Sequence, residues 1–346
     1  MTGGHEVAGS SPVAPIVVTC LRVMDCVMAV LVGIDEAGFG PILGPLVVSS
    51  STFLLPKSLV EKDLWQVLKR SVAERRRGMG GRILISDSKK AYSKSIGIKH
   101  LERTVLTFLK YLGKQPADMT ELMEILCPES LGRLGGYPWH KNSQNRCFSA
   151  DNGDIEIAVK AIRDDMETSG IEFAGFVSSC LDVGYYNKMV SRVKNKATVL
   201  FTAICQLIEE AFNRFGEKEL HIIIDRQGGR QHYRGVLQKM FGELELKILR
   251  ENEAVSSYEL KSNGKSMRLH FVVGADDRFM GVSLASMVSK YLRELLVANI
   301  NSYFINAYED LKPTAGYWKD GLRFIKEIEG RATQLEFDSK MLVRSR

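Results

Sequence analysis

The chain has 346 residues, 45% of them hydrophobic and 25% charged, with a formal net charge of +6. Those proportions support a substantial core in two ordinary domains or one enlarged domain, and they exclude wholesale disorder. A mean hydropathy of −0.08, with no uncharged apolar run near twenty residues, argues against a membrane span. Cys20, Cys26, Cys127, Cys147, Cys180 and Cys205 are too few and too scattered for a disulfide scaffold, and no C-x-x-C pair suggests structural zinc. Six reduced thiols in a cytoplasmic protein are expected.

Residues 1–28 read as an extension, either disordered or the product of a mis-assigned start, with Met24 and Met28 just ahead of the first clear strand. From Ala29 the pattern is α/β. AVLVGID is a nearly continuous apolar run ending in carboxylates, as a buried strand is when it delivers residues to its tip. A glycine-rich turn and a second strand, PLVVSSSTFL, follow. Residues 57–77 read as an amphipathic basic helix, RILIS as a short strand, and 97–112 as a helix with Leu101, Val105, Phe108 and Leu109 on one face.

The rhythm breaks at about 113–168, where Gly, Pro, Asn and Asp lie among short helical pieces, so this stretch reads as an insertion. Its Tyr137-Pro138-Trp139 patch is expected to pack rather than to stack on bases. Strand EFAGFVSSCLDV, a long helix at about 196–215, strand LHIIID, a helix at about 233–241 and strand LELKILR come next. Asn263-Gly264 marks a tight hairpin, and SLASMVSKYLRELLVANI reads as a helix. The main domain thus spans 29–330, with 331–346 as a tail.

The positive charge is concentrated. Residues 57–100 hold twelve Lys or Arg against four acids, a local excess of +8. Such a patch suits a polyanion such as nucleic acid, or else is simply a solvated face. Acids are concentrated too, at strand ends and helix starts: Asp35 with Glu36, Asp225, and Asp276 with Asp277. Any one of them reads as a turn or cap residue. Together, at one sheet edge, they would offer hard oxygen ligands to divalent cations, the arrangement that hydrolyses phosphodiesters.

The run Gly33-Ile34-Asp35-Glu36-Ala37-Gly38-Phe39-Gly40-Pro41-Ile42-Leu43-Gly44-Pro45 resembles the opening signature of the ribonuclease HII family. Asp87-Ser88-Lys89-Lys90 resembles its phosphate-binding segment, Asp225 its third acid, Asp276 its fourth acid ahead of the SLASMVSK helix, and Gly316-Tyr317 its sugar-stacking segment. The resemblance covers roughly 29–112 and 169–330. It implies a ribonuclease H-like mixed five-stranded sheet flanked by helices, with a C-terminal helical region. The implied activity is cleavage of RNA in RNA–DNA hybrids or at single ribonucleotides in duplex DNA. By the same resemblance, Asp35, Glu36, Asp225 and Asp276 would hold Mg²⁺ or Mn²⁺ and position water. Ser88, Lys89, Lys90 and Lys290 would meet phosphates, Ser286 would join the nucleic-acid-binding set, Tyr317 would stack on a sugar, and the backbone N–H groups at Gly38 and Gly40 would approach a sugar.

The sequence departs from that pattern twice. Phe39 stands where the family has Arg or Lys, which predicts altered junction specificity or a cation from elsewhere. Arg226 and Arg230, in Asp225-Arg226-Gln227-Gly228-Gly229-Arg230, are candidates to supply it, or else form ordinary ion pairs. A dinucleotide-binding loop at Gly38–Gly44 is disfavoured, because two acids precede it where pyrophosphate would be repelled. Gln334-Leu335-Glu336-Phe337 offers a faint likeness to sliding-clamp peptides.

Overall fold

The computed structural model describes residues 28–93, 95–141, 148–331 and 337–345. The expected extension up to residue 27, Cys147 and Gln334–Glu336 lie outside the described residues. The first strand, β1 (Met28–Ala37), pairs antiparallel with β2 (Leu46–Pro56) and is buried along almost its whole length. Its side chains alternate, as strand geometry requires. Val30, Val32 and Ile34 enter one core and Leu31 the other.

The expected basic helix at 57–77 does not form. Asp63 caps a single turn, α1 (Leu64–Val67), by accepting from the Trp65 N–H, and the chain then turns into a short strand, β3 (Val72–Ala73). β3 pairs with β4 (Ile83–Leu84). Burial of Leu64, Trp65, Leu68, Val72 and Ala73 satisfies the apolar positions without a continuous helix. α2 (Ser88–Ala91) and α3 (Lys99–Tyr111) follow.

The insertion is more regular than its composition suggested: α4 (Met119–Leu126), α5 (Pro128–Leu134) and the 18-residue α6 (Asn152–Ser169). Asp151 caps α6 and Gly170 ends it in the left-handed region. Met119, Leu122, Ile162 and Met166 share one core with Leu31, Phe53 and Phe108. Tyr137 and Trp139 are buried, Trp139 lying 6.1 Å from Phe304.

Beyond the insertion lie β5 (Glu172–Leu181), α7 (Val183–Val193), α8 (Lys196–Phe215), β6 (Glu219–Asp225) and α9 (Arg234–Met240). β7 (Glu245–Glu251), β8 (Val255–Ser262) and β9 (Lys265–Val272) complete the sheet, and α10 (Met280–Ala307) crosses it. The strand order is β5-β2-β1-β6-β9-β8-β7. β1 runs parallel to β6, and β6 to β9, while β2 and β5 are antiparallel neighbours. The expected mixed five-stranded sheet is β5-β2-β1-β6-β9, and β8 and β7 lengthen it to seven. One face packs on α3, α6 and α10, the other on α7 and α8. Among the described residues no helix is long and apolar enough to cross a membrane.

α11 (Trp318–Glu329) and α12 (Ser339–Leu342) close the chain. The described part of the expected tail is integral to the fold: Leu342 is buried with Ile42, Phe304 and Phe324, and Phe337 lies 5.1 Å from Phe304.

Candidate active site

The parallel strands β1 and β6 end side by side, with Ile34 opposite Ile224. That register brings Asp35 and Glu36 beside Asp225. β1 lies unusually close to α10, because a Cβ on Gly33 would sit 2.2 Å from the Gly281 carbonyl carbon. Glycine at that position therefore lets the helix N-terminal half lie on the strand tip. Ser289 donates to the Asp35 carbonyl at 3.0 Å, and Ser286 bonds Ser88 at 2.9 Å, tying α2 to the same helix. β9 leads through a single 3₁₀ turn, Ala275–Asp277, into α10, and the Ala275 N–H donates to Asp225 Oδ1 at 2.8 Å.

Asp35, Glu36, Asp225 and Asp276 line one cavity of about 210 Å³. Gly38, Phe39, Gly40, Ser88, Lys89, Ser286, Lys290 and Tyr317 border it as well. Asp277 faces a neighbouring cavity and pairs with Lys90. Lys90, expected on a phosphate, is therefore engaged outside the acid cavity.

The carboxylates are held in an unfavourable state. Burial, then the charge of Glu36, raises the pKa of Asp35 well above the usual carboxylate range, with Asp225 and Asp276 adding to it. Burial and then Asp225 push Glu36 up to about 7. Burial and the same neighbour push Asp276 up to about 6. Asp225 is raised by burial, partly offset by the Ala275 N–H. The nearest basic group is loosely placed: Lys89 Nζ is 3.9 Å from Asp276 and its side chain is 83% exposed. Burial opposes the Lys89 charge, but Asp87, Asp276, Asp35 and Asp225 outweigh it and raise its pKa.

Four carboxylates with so little neutralisation from basic groups have the chemistry of a hard divalent cation site. Among the described residues, no three Asp, Glu, His or Cys side chains are drawn together closely enough to form a ligand cage.

Opposite Lys89 lies the Gly38-Phe39-Gly40 loop. Gly38 has φ +97°, and a Cβ there would meet Pro45 O at 2.6 Å and Arg293 Nε at 2.8 Å. Arg293, 1% exposed, supports the loop from behind and donates to Ala315 O at 3.0 Å. It pairs with Glu294 at 3.1 Å, which also holds Lys290 at 2.7 Å. The Tyr317 ring, 5.8 Å from the Arg293 guanidinium, is half exposed at the cavity rim. Arg344 donates to the carbonyls of Gly38 and Pro41, pinning the loop from the far end of the chain.

Arg226 and Arg230 do not play the expected part. Arg226 is buried and donates to Glu253 O at 2.6 Å, Asn252 O at 3.0 Å and Ser256 Oγ at 2.8 Å. Arg230 lies 5.6 Å from the ring centres of both Phe201 and Tyr233. Neither borders the acid cavity. The cation beside Phe39 is Lys196, at the start of α8, whose Nζ is 5.1 Å from the ring centre. No local pattern marks Lys196 or Arg344. Arg293 was legible in principle, since Ser286, Lys290 and Arg293 have the spacing of one helix face.

No family model matches the chain, and no curated protein does. Among solved structures, one from the PCNA:RNase HII complex of Archaeoglobus fulgidus is 15% identical, covering 91% of this chain and 94% of that one, with a TM-score of 0.42. The ribonuclease H2 of Pyrococcus horikoshii OT3 is 13% identical, covering 91% and 92%, also with a TM-score of 0.42. Bst-RNase HIII in complex with Mn²⁺ is 13% identical, covering 97% and 73%, with a TM-score of 0.40. At such identities and scores the likeness adds no weight to the site's own geometry.

Proposed function

We propose that this protein is a metal-dependent endonuclease of the ribonuclease HII type, hydrolysing RNA within RNA–DNA hybrids or at single ribonucleotides in duplex DNA. The observation that carries this is the convergence of Asp35, Glu36, Asp225 and Asp276 on one cavity beneath a glycine-flanked loop. The four acids would hold Mg²⁺ or Mn²⁺ once their protons have left. A bound divalent ion would supply Lewis acidity and a water of lowered pKa.

The chain's own groups position the strand. Lys89 reaches a phosphate from its exposed place beside Asp276, and Ser88 adds a hydroxyl. Lys290, held by Glu294, offers a fixed cation at the wall. The exposed Tyr317 ring gives a face for a sugar, and the Gly38–Gly40 backbone allows close approach to a 2′-hydroxyl, the group that distinguishes RNA from DNA. Lys196, perched over Phe39, supplies the positive charge that Phe39 lacks.

Phe39 favours a second reading, a protein that binds hybrid or duplex nucleic acid with little cutting, or a nuclease with a changed substrate. Three duplexes separate them: all-DNA, RNA–DNA hybrid, and DNA with one ribonucleotide, each with Mg²⁺ or Mn²⁺. The first reading expects cutting of the two ribonucleotide-containing duplexes. Binding without metal-dependent cutting supports the second.

A further inference from the structure

The loop joining β3 to β4 carries charge that the fold does not use. Its backbone is firmly held. Arg82 donates to Met79 O at 3.0 Å and Gly78 O at 2.7 Å, and Arg103 on α3 donates to Gly81 O at 2.8 Å and Arg82 O at 2.9 Å. Arg103 is itself fixed by Asp154, with Nη2 3.0 Å from Oδ1. On this support stand three consecutive exposed arginines, Arg75, Arg76 and Arg77. Among the described residues Arg75 has only Glu74 as an acidic partner, at 3.9 Å, and its side chain is 82% exposed. Among the described residues Arg76 and Arg77 have no acidic partner.

The head of α3 adds to the excess. Ile98 gives that helix no side-chain cap, and Lys99 and His100 occupy its positive end, where cations are unfavourable. His100 is held below its ordinary pKa by burial first, then by Arg76, Lys99 and Arg103. The ridge reaches towards the acid cavity through a neighbouring one. Glu74 and Arg75 line a cavity of about 280 Å³ together with Lys90, Asp276 and Asp277, and Asp276 lines the catalytic cavity too. An uncompensated cationic ridge beside a phosphodiester-cutting site suits the backbone leading away from the cut.

We infer that Arg75, Arg76, Arg77 and Lys99 grip phosphates of the duplex flanking one side of the scissile bond. This rests on the nuclease reading above. The test is fluorescence anisotropy of the full chain, in EDTA, on a duplex of about 30 base pairs with one ribonucleotide, at several salt concentrations. For the triple variant R75Q/R76Q/R77Q, the slope of log K against log salt should be shallower by about 2 to 3, and affinity at low salt should fall about 10- to 100-fold. kcat at saturating substrate should stay within about twofold, since uniform binding does not alter the chemical step. Shortening the duplex on one side only should weaken the wild type and leave the variant unchanged. An unchanged salt slope in a variant with wild-type circular dichroism, where the wild type still cuts, overturns the ridge and leaves the nuclease reading standing. A wild type that neither binds nor cuts any of the three duplexes overturns both.

Discussion

Carboxylates drawn wholly or partly into the protein meet opposite treatment in two regions of this molecule. Where the insertion meets the rest of the fold, each of three acids is answered from within. Asp182 takes Arg133 at 2.7 Å, the Tyr137 hydroxyl and the Tyr185 N–H. Glu102 takes the Ser149 and Ala150 N–H groups and the Tyr291 hydroxyl, and Asp165 takes the Ser71 N–H and hydroxyl. At the tips of β1 and β6 and in the turn before α10, Asp35, Glu36, Asp225 and Asp276 instead share one cavity with little neutralisation, and burial raises all four pKa values. A protein that neutralises buried acids in one place and leaves four exposed to mutual repulsion in another keeps the second set for a ligand.

The largest expected effect contrasts the two regions directly. Asp35→Asn should lower metal-dependent cutting by about 10³-fold or more, the size expected when a metal's Lewis-acid contribution is lost, with no loss of thermal stability. Asp182→Asn should do the reverse, costing about 2 kcal/mol of stability by leaving hydrogen-bond donors unpaired while the folded fraction keeps its kcat. Denaturant titration beside single-turnover rates distinguishes them, and equal loss of activity in both variants breaks the comparison.

Acidity gives the next effect. Glu36, at about 7, and Asp276, at about 6, bind protons that must leave before a cation enters. The cutting rate should therefore rise by up to about a hundredfold per pH unit below about pH 6, where both protons must leave, rise about tenfold per unit from there to about pH 7, and flatten as these two acids ionise. Stability carries the opposite sign. Both acids hold their protons more tightly folded than unfolded, so without metal the stability they confer is present below the unfolded values of 4.5 and 3.8 and fades as pH rises towards about 7. Excess Mg²⁺ should raise Tm at pH 8 and not at pH 5. A Tm gain equal at both pH values contradicts the raised pKa values.

Arg344 and Phe39 should have smaller effects. Arg344→Ala frees the Gly38 and Pro41 carbonyls, and should cut kcat/KM about tenfold by misplacing the loop. Arg344→Lys, which keeps a single donor group, should recover part of it. Lys196→Ala should weaken preference for the ribonucleotide junction by about three- to tenfold, the worth of a cation near a rim, and Phe39→Arg should make Lys196 dispensable. Unchanged junction preference in both variants removes Lys196 from the account.

The central sheet was legible because β1, β6 and the β8–β9 hairpin carry their signals locally, in apolar runs, terminal acids and Asn263-Gly264. Residues 57–77 carry basic residues at helical spacing, which does not reveal that Asp63 caps only one turn before β3 begins. The cavity's acids were named from a motif and its order along the chain. Their neighbours were less visible. Arg226 carries a cation next to an acid in sequence, yet its side chain turns to the β7–β8 turn. Lys196 and Arg344 reach the Phe39 loop from far away in the chain, a contact that only the tertiary fold creates.

The most direct test is a Mn²⁺ titration by calorimetry at pH 8 on the wild type, Asp35→Asn, Asp225→Asn and Asp182→Asn. Saturable binding by the wild type and by Asp182→Asn, lost or much weakened in the other two, is the predicted result. Equal Mn²⁺ binding by all four proteins, or none by the wild type, would contradict it.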